Sequence, residues 1–166
     1  MSQSLQIKRS FPPLVDEHVR LLVLGSLPGE ESLARGQYYA NPRNQFWRLM
    51  SEVVGVGLVL LDYEARLAAL LATKVGLWDA VASASRDGSL DGAIRGHVSN
   101  ELAGLVARLP ELRAIAFNGG TSARIAGKAL GTDGGFDRVA LPSSSPAFTL
   151  SFDRKLQAWR QLRDYL

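Results

Sequence analysis

The sequence predicts a three-layer α/β/α sandwich around a four-stranded parallel sheet. Three observations carry that expectation. Four short runs are apolar on both faces, as strands covered by helices on each side require. They alternate with segments whose apolar residues recur at helical spacing, which makes the connections helical crossovers and the pairing parallel. The chain has 166 residues, the length of one domain with a sizeable core. No repeat, low-complexity tract or linker divides it. Residues 1–166 are therefore read as a single domain, with residues 1–19 as an N-terminal arm.

In that arm Phe11-Pro12-Pro13-Leu14 packs extended, because the two prolines exclude a helix interior. Residues 20–25 form the first strand, on the run Leu21-Leu22-Val23-Leu24. A stretch of about twenty residues follows, Gly25 to Trp47, far longer than a connection needs. From Asn44 the residues Phe46, Leu49, Met50, Val53 and Val54 mark a helix, ended by Gly55-Val56-Gly57. A second helix runs from about Asp62, a good N-cap, to Thr73. Leu77-Trp78-Asp79-Ala80-Val81 is a short buried strand. Residues 82–96 read as a polar loop without periodicity. Asn100 to Leu109 is helical with Leu102, Leu105, Val106 and Leu109 inward, and Pro110 closes it. Leu112 to Phe117 is the third strand. It runs into Asn118-Gly119-Gly120, after which Thr121 or Ser122 caps a helix to about Leu130. Arg138 to Leu141 is the fourth strand, stopped by Pro142 and a serine run. The last helix spans about Asp153 to Tyr165, with Leu156, Trp159 and Leu162 towards the core.

Composition narrows the chemistry. Hydrophobic residues at 46% and charged residues at 21% fit a soluble globular protein. A formal charge of +3 leans towards a polyanionic partner. Arginine far outnumbers lysine, which favours bidentate phosphate or base contacts, although codon composition alone also produces that excess. The absence of cysteine excludes disulfides, thiolate zinc sites, iron–sulfur clusters and a cysteine nucleophile. His18 and His97 lack ligand spacing, so neither metal nor other cofactor is expected. No apolar run reaches membrane-spanning length, and MSQSLQIKRS is not a signal peptide. A cytoplasmic monomer is expected.

Ligands of parallel α/β sheets bind outside the carboxyl ends of the strands. Those ends carry Ser26 and the long loop, Asp79 and the 82–96 loop, Asn118-Gly119-Gly120, and Pro142 to Pro146. Hydroxyls, amides and backbone N–H groups dominate, with no Ser-His-Asp set or evident carboxylate pair. Such a surface suits a phosphate backbone and a neutral hydrogen-bonding ligand such as a nucleobase. Gly25-Ser26-Leu27-Pro28-Gly29 is neither a Walker loop nor a dinucleotide fingerprint.

The succession GSLPG, YYANPRNQFW, LWDAV with SRDGSLDGAI, FNG and LPSSSPA resembles the uracil-DNA glycosylase superfamily, and most of all its hypoxanthine-DNA (deoxyinosine) glycosylase branch. The resemblance covers roughly residues 20–160, and YY-x-x-PRNQFW and LPSSSPA are its specific parts. It implies a fold around a four-stranded parallel sheet and an enzyme of base-excision repair. Such an enzyme flips a deaminated base from DNA and hydrolyses its N-glycosidic bond. Related first loops hold an Asp or Asn that handles the water; here Ser26 or Leu27 takes that place. The hypoxanthine branch resembles this chain there and uses the asparagine of PRN, which is Asn44. A second departure is Phe148, where a small polar residue is the rule.

The implied site follows. Asn44 holds the water, with Ser26 beside it, and the turn through Leu27, Pro28 and Gly29 cradles the leaving base with its N–H groups. Tyr39 or Phe46 stacks on the flipped base, and Asn118 reads its edge. Gly119, Ser143, Ser144 and Ser145 grip phosphates, and Pro146 or Phe148 fills the hole left in the duplex. No lysine lies in these motifs, so a monofunctional glycosylase leaving an abasic site is expected. Plainer roles stand beside these. Asn44 suits a helix N-cap, Phe46 and Trp47 a core, Asn118 and the serines ordinary turns. Asp79 suits a loop-ordering acceptor, and Asp87 and Asp91 suit Asx bonds within their loop. The activity is read as release of hypoxanthine. A uracil (G:U mismatch) glycosylase and a non-catalytic damaged-DNA-binding protein on the same fold are the alternatives.

Overall fold

A computed structural model describes residues 6–132 and 134–166. Strand β2 (Leu21–Gly25) is buried along its whole length. Its side chains alternate as a pleated strand demands. Leu21 and Val23 enter one core with Phe46, Leu49, Met50, Leu70 and Trp159. Leu22 and Leu24 enter the opposite core with Leu102, Leu105, Ile125 and Leu130. Helices α2 (Phe46–Val54), α3 (Tyr63–Ala72) and α6 (Phe152–Trp159) supply the first layer, and α4 (Leu102–Val106) and α5 (Gly120–Leu130) the second. This is the expected sandwich.

The central sheet has the order β3-β2-β6-β7, all parallel, with β3 at Val75–Asp79, β6 at Ala114–Asn118 and β7 at Asp137–Leu141. The chain steps from β2 outward to β3, then returns to lay β6 on the other side of β2. That reversal opens a crevice at the carboxyl ends of β2 and β6. Register pairs Gly25 with Asp79, Leu24 with Phe117, and Asn118 with Leu141. Gly25, Asp79, Asn118 and the serines after Leu141 therefore leave the sheet at one edge.

Several elements differ from expectation. Residues 82–96 are not a plain loop: β4 (Val81–Ser85) and β5 (Arg95–Ser99) form an antiparallel sheet with β1 (Ile7–Arg9), in the order β1-β4-β5. Small polar residues and two register shifts hide this sheet, because Ala-Ser alternation leaves little apolar contrast. Residues 7–9 of the expected arm are thus a strand; residues 1–5 lie outside the described residues. The long stretch after β2 contains a helix, α1 (Glu30–Arg35). Helix α4 is shorter than expected. The last helix tightens into a 3-10 turn over Arg160–Tyr165. Neither Thr121 nor Ser122 caps α5. Gly119 does, at φ 97°, while the buried Ser122 hydroxyl donates to Leu24 O at 2.7 Å and pins α5 to β2. No helix among the described residues is long and apolar enough to cross a membrane.

Trp159 ties the C-terminal helix to the serine loop. It is fully buried, meets Phe46 edge-on at 6.0 Å, and donates Nε1–H to Pro142 O at 2.9 Å. Trp159→Phe keeps much of the packing but orphans that carbonyl and leaves a void. Urea denaturation is expected to show a loss of about 1–4 kcal/mol; a loss below about 0.5 kcal/mol would show that the bond contributes nothing.

Candidate active site

The strand ends enclose a cavity of about 710 Å³ at the predicted crevice. Gly25, Tyr39, Asp79 and Asn118 lie at its base, and the turn 26–29, the loop 89–92 and the loop 143–148 surround them. Gly25 is required by space alone. A Cβ there would lie 2.5 Å from Asp79 Oδ1 and 3.0 Å from the Tyr39 hydroxyl. A glycine lets these two side chains close over the end of β2.

A continuous hydrogen-bond network links three of the four strand ends. Asn118 Nδ2 donates to Tyr39 Oη at 3.2 Å and to Ser144 Oγ at 2.9 Å, while its Oδ1 accepts from Ser144 N at 2.9 Å. Ser144 Oγ donates in turn to Asn44 Oδ1 at 2.8 Å. Asn44 Oδ1 also accepts from Phe46 N at 3.0 Å. Because a main-chain N–H can only donate, that bond fixes which end of the Asn44 amide is oxygen. Both oxygen lone pairs are taken, so the amide group that Asn44 has free is its Nδ2. Asn44 thus performs a cap-like bond at α2 and lines the cavity with a donor.

These contacts revise several expected roles. Asn118 already uses both amide hydrogens, so it is the hub of the network rather than an open reader of a base edge. Ser144 is 1% exposed and bonded on every side, which removes it from phosphate contact. Ser143 Oγ accepts from Ser145 N, and Ser145 Oγ from Ala147 N, so these two shape the loop while staying half-buried. Phe46 is fully buried and outside the cavity lining, and Tyr39 stacks on it at 3.9 Å. Tyr39 is the aromatic ring at the cavity base, with Tyr38 and Phe148 also in the lining. Tyr39 holds a left-handed φ of 54°, a strain of order 1–3 kcal/mol that the stack and the Asn118 bond sustain. Burial foremost, and the nearby Asp79 next, push its hydroxyl pKa up, so it stays protonated. The Ser26 hydroxyl donates to Asp91 Oδ1 at 2.6 Å, so its proton is not available to a water. Asp91 therefore bonds across to the first strand instead of within its own loop.

The turn 26–29 is held from behind by Arg86, whose role the sequence analysis did not single out. Arg86 is 2% exposed. Its guanidinium donates to Gly88 O at 2.9 Å, to Leu27 O at 3.3 Å and to Pro28 O. Burial pulls its pKa down, opposed by Asp91, Glu30 and Asp79. A trans peptide is planar, so tying back Pro28 C=O turns the Gly29 N–H to the opposite side. Among the described residues neither the Leu27 nor the Gly29 N–H has an acceptor, whereas the Glu30 N–H is taken by Ser89 Oγ at 2.9 Å. The signal for Arg86 lay in SRDGSLDG, an Arg and two Asp in a loop with no other reason for charge.

Asp79 was expected to order its loop. It does so only through its main chain: Asp79 O accepts from Asn100 Nδ2 at 2.7 Å. Its carboxyl has Oδ2 buried without a partner. Burial first, and the Asp91 charge second, push its pKa up to about 7, partly offset by Arg86. At the outer rim Phe148 stands 46% exposed, with Lys155 Nζ 5.7 Å from its ring centroid. Lys155, also missed, is buried under the serine loop and donates to Ser145 O at 3.1 Å.

Fold and cavity together define an α/β domain with a pocket at the sheet's switch point, suited to a flat, hydrogen-bonding ring. The chain belongs to the uracil DNA glycosylase superfamily, whose family model matches residues 12–163. It is 42% identical over 141 residues to a protein from Methanosarcina acetivorans named hypoxanthine DNA glycosylase, a match spanning 85% of this chain and 88% of that one. A protein of the same name from Methanosarcina barkeri is 36% identical over 154 residues, spanning 93% and 96%. The solution NMR structure of a candidate uracil DNA glycosylase from Methanosarcina acetivorans superposes with a TM-score of 0.82 at 39% identity, covering 95% of this chain and 99% of that one.

Arg86→Ala removes the donor to three carbonyls and a buried cation that acts on Asp79 and Asp91. Chemical denaturation is expected to show a loss of about 3–5 kcal/mol. Arg86→Lys should recover less than half of it, since an ammonium lacks the planar fork. An alanine variant as stable as the parent would remove Arg86 from the account of the turn.

Proposed function

We propose that this protein is a DNA glycosylase that releases hypoxanthine from deoxyinosine in DNA. The observation that carries the reading is the cavity itself. It has one aromatic wall, unpaired main-chain donors in the 26–29 turn, and a fixed amide donor at Asn44. That set is matched to a flat base with acceptors on its edge. The named relatives support the same substrate. A base enters such a pocket only when flipped out of the helix.

Glycosidic cleavage places positive charge on the deoxyribose and negative charge on the departing base, and catalysis consists in stabilising that separation. The Leu27 and Gly29 N–H groups are the donors for the base, prealigned by Arg86. Tyr39 supplies the stacking face, worth roughly 1–3 kcal/mol. Asn44 holds the water by donation from Nδ2. An oxocarbenium-like sugar is electrophilic enough that positioning, rather than a strong base, suffices for attack. Phe148, exposed beside the cavity, is the group that fills the vacated stack. Lys155 is committed to Ser145 O and is absent from the cavity lining. The reaction therefore ends at an abasic site, without an imine-forming lyase step. The protein works on DNA in the cytoplasm as a monomer.

The direct assay uses oligonucleotides with a single deoxyinosine, deoxyxanthosine or deoxyuridine. Free hypoxanthine should appear from the deoxyinosine duplex, with strand breakage only after alkali. Damaged-DNA binding with no base released from any of them would favour the non-catalytic alternative. Asn44→Ala should lower single-turnover release by about 10²-fold or more with little change in duplex affinity; turnover within a few-fold of the parent would move water positioning to another group. Phe148→Ala should weaken binding to the lesion duplex while leaving cleavage of a single strand nearly unchanged, since a single strand has no stack to fill. Equal loss on both substrates would contradict a wedge.

A further inference from the structure

Base release as set out above gives no task to the buried carboxyl in the cavity lining. Asp79 closes the cavity base at 3% exposure, with Oδ1 against Gly25 and Oδ2 buried and unpartnered. A structural carboxylate at a strand end takes N–H bonds from its own loop. Here those donors go elsewhere: Ala80 N to Gly25 O at 2.8 Å, Val81 N to Ser26 O at 3.0 Å, and the Asn100 amide to the Asp79 main-chain oxygen. No hydrogen bond favours its charged form.

Of the groups around it only Arg86 favours the charge, and burial with the Asp91 charge outweighs it. From the loop after β4 come Asp91, a second carboxylate, and Arg86, whose guanidinium is already engaged by the carbonyls of Leu27, Pro28 and Gly88. From the loop after α1 come Tyr38 and Tyr39, both held protonated by burial. Strand β2 presents only Gly25 and Ser26, and β6 only the neutral amide of Asn118. A buried carboxyl with no donor, facing another carboxylate, keeps its proton.

We propose that Asp79 is the general acid of base release, passing its carboxyl proton to a ring nitrogen of the departing purine. This inference rests on the base-excision activity above. The bond from the sugar to the base breaks with its electron pair moving onto the base, and the Asp79 proton neutralises the base as it leaves. Water forms the new bond to the sugar carbon and sheds a proton through solvent, which restores the Asp79 carboxyl. The overall change is hydrolysis, with no other reactant. Asp79 lines the cavity, so its carboxyl, which no protein donor engages, is within the space a flipped base would occupy.

The pH profile tests this with the unmodified protein. The acid must be protonated, and burial together with Asp91 sets its pKa at about 7. Single-turnover release of hypoxanthine should therefore be greatest below that pH and fall towards tenfold per unit above it. Asp79→Asn keeps the shape but carries no transferable proton. It should lower the rate at pH 6 by about 10²-fold or more and abolish the basic limb. Its affinity for a duplex carrying a non-cleavable 2′-fluoro deoxyinosine should stay within a few-fold of the parent's. A wild-type rate that is flat from pH 5.5 to 8.5 overturns the acid role while leaving base excision standing. So does an asparagine variant with the parental rate and profile, or one whose affinity and rate fall together. Failure of the wild type to release hypoxanthine at any pH is a different result, and it removes the base-excision reading and this role with it.

Discussion

The bond pair between Asn118 and Ser144 is the constraint on which the site depends. Asn118 terminates β6 and Ser144 follows β7, and each accepts from and donates to the other through Oδ1, Nδ2, the Ser144 N–H and Oγ. This clamp leaves the serine hydroxyl hydrogen one direction, towards Asn44 Oδ1, and the remaining Asn118 hydrogen another, towards the Tyr39 hydroxyl. The long loop after β2 is thereby fixed at two points by a neighbouring strand. Buried polar networks of this kind hold when their buried members are satisfied, and the Asn118 amide and Ser144 at the centre of this one are. Rigidity is what the proposed chemistry requires, because in it an amide that holds water contributes by position alone.

Two halves of the cavity are built on different logic. On the β6–β7 side neutral amides and hydroxyls bond one another. On the β3–β4 side one cation, Arg86, acts on two carboxylates, Asp79 and Asp91, and an Asp79 carboxyl oxygen stays without a bond. In the proposed reaction the first half positions the sugar-side groups, and the second half stores electrostatic asymmetry beside the base. Sites that separate charge in this way are where perturbed protonation is put to use. The stability lost by burying Asp79 is repaid, in this view, only during turnover.

Much of the fold was legible because its signals are local. Both-face apolar runs marked the four parallel strands, the 3.6-residue period marked α2, α3, α4 and α6, and the capping residues after the third strand marked α5. The second sheet was not legible, since Ala82-Ser83-Ala84-Ser85 and Arg95-Gly96-His97 carry no pattern that burial imposes, and their pairing is long-range. At the site, the motifs fall at the strand ends, and Asn44, Tyr39 and the 26–29 turn all line one cavity. Individual roles were less readable. Sequence shows that Asn118 and Ser144 are polar but not that they bond each other, 26 positions apart. Phe46 looks like any aromatic near a loop until stacking places it behind Tyr39. Asp79 and Arg86 gain their meaning only from burial, which depends on β4 turning back over the first loop.

The central claim is that the strand-end cavity receives the excised base through the turn donors and Asn44. Titration of the ¹⁵N-labelled protein with an abasic-site duplex and free hypoxanthine, followed by amide resonances, tests it most directly. Base-dependent shifts are expected at the Leu27 and Gly29 N–H groups and at the Asn44 side-chain amide, with little change at the saturated Asn118 amide. Saturable shifts confined to another surface, with those three groups unmoved, would contradict it.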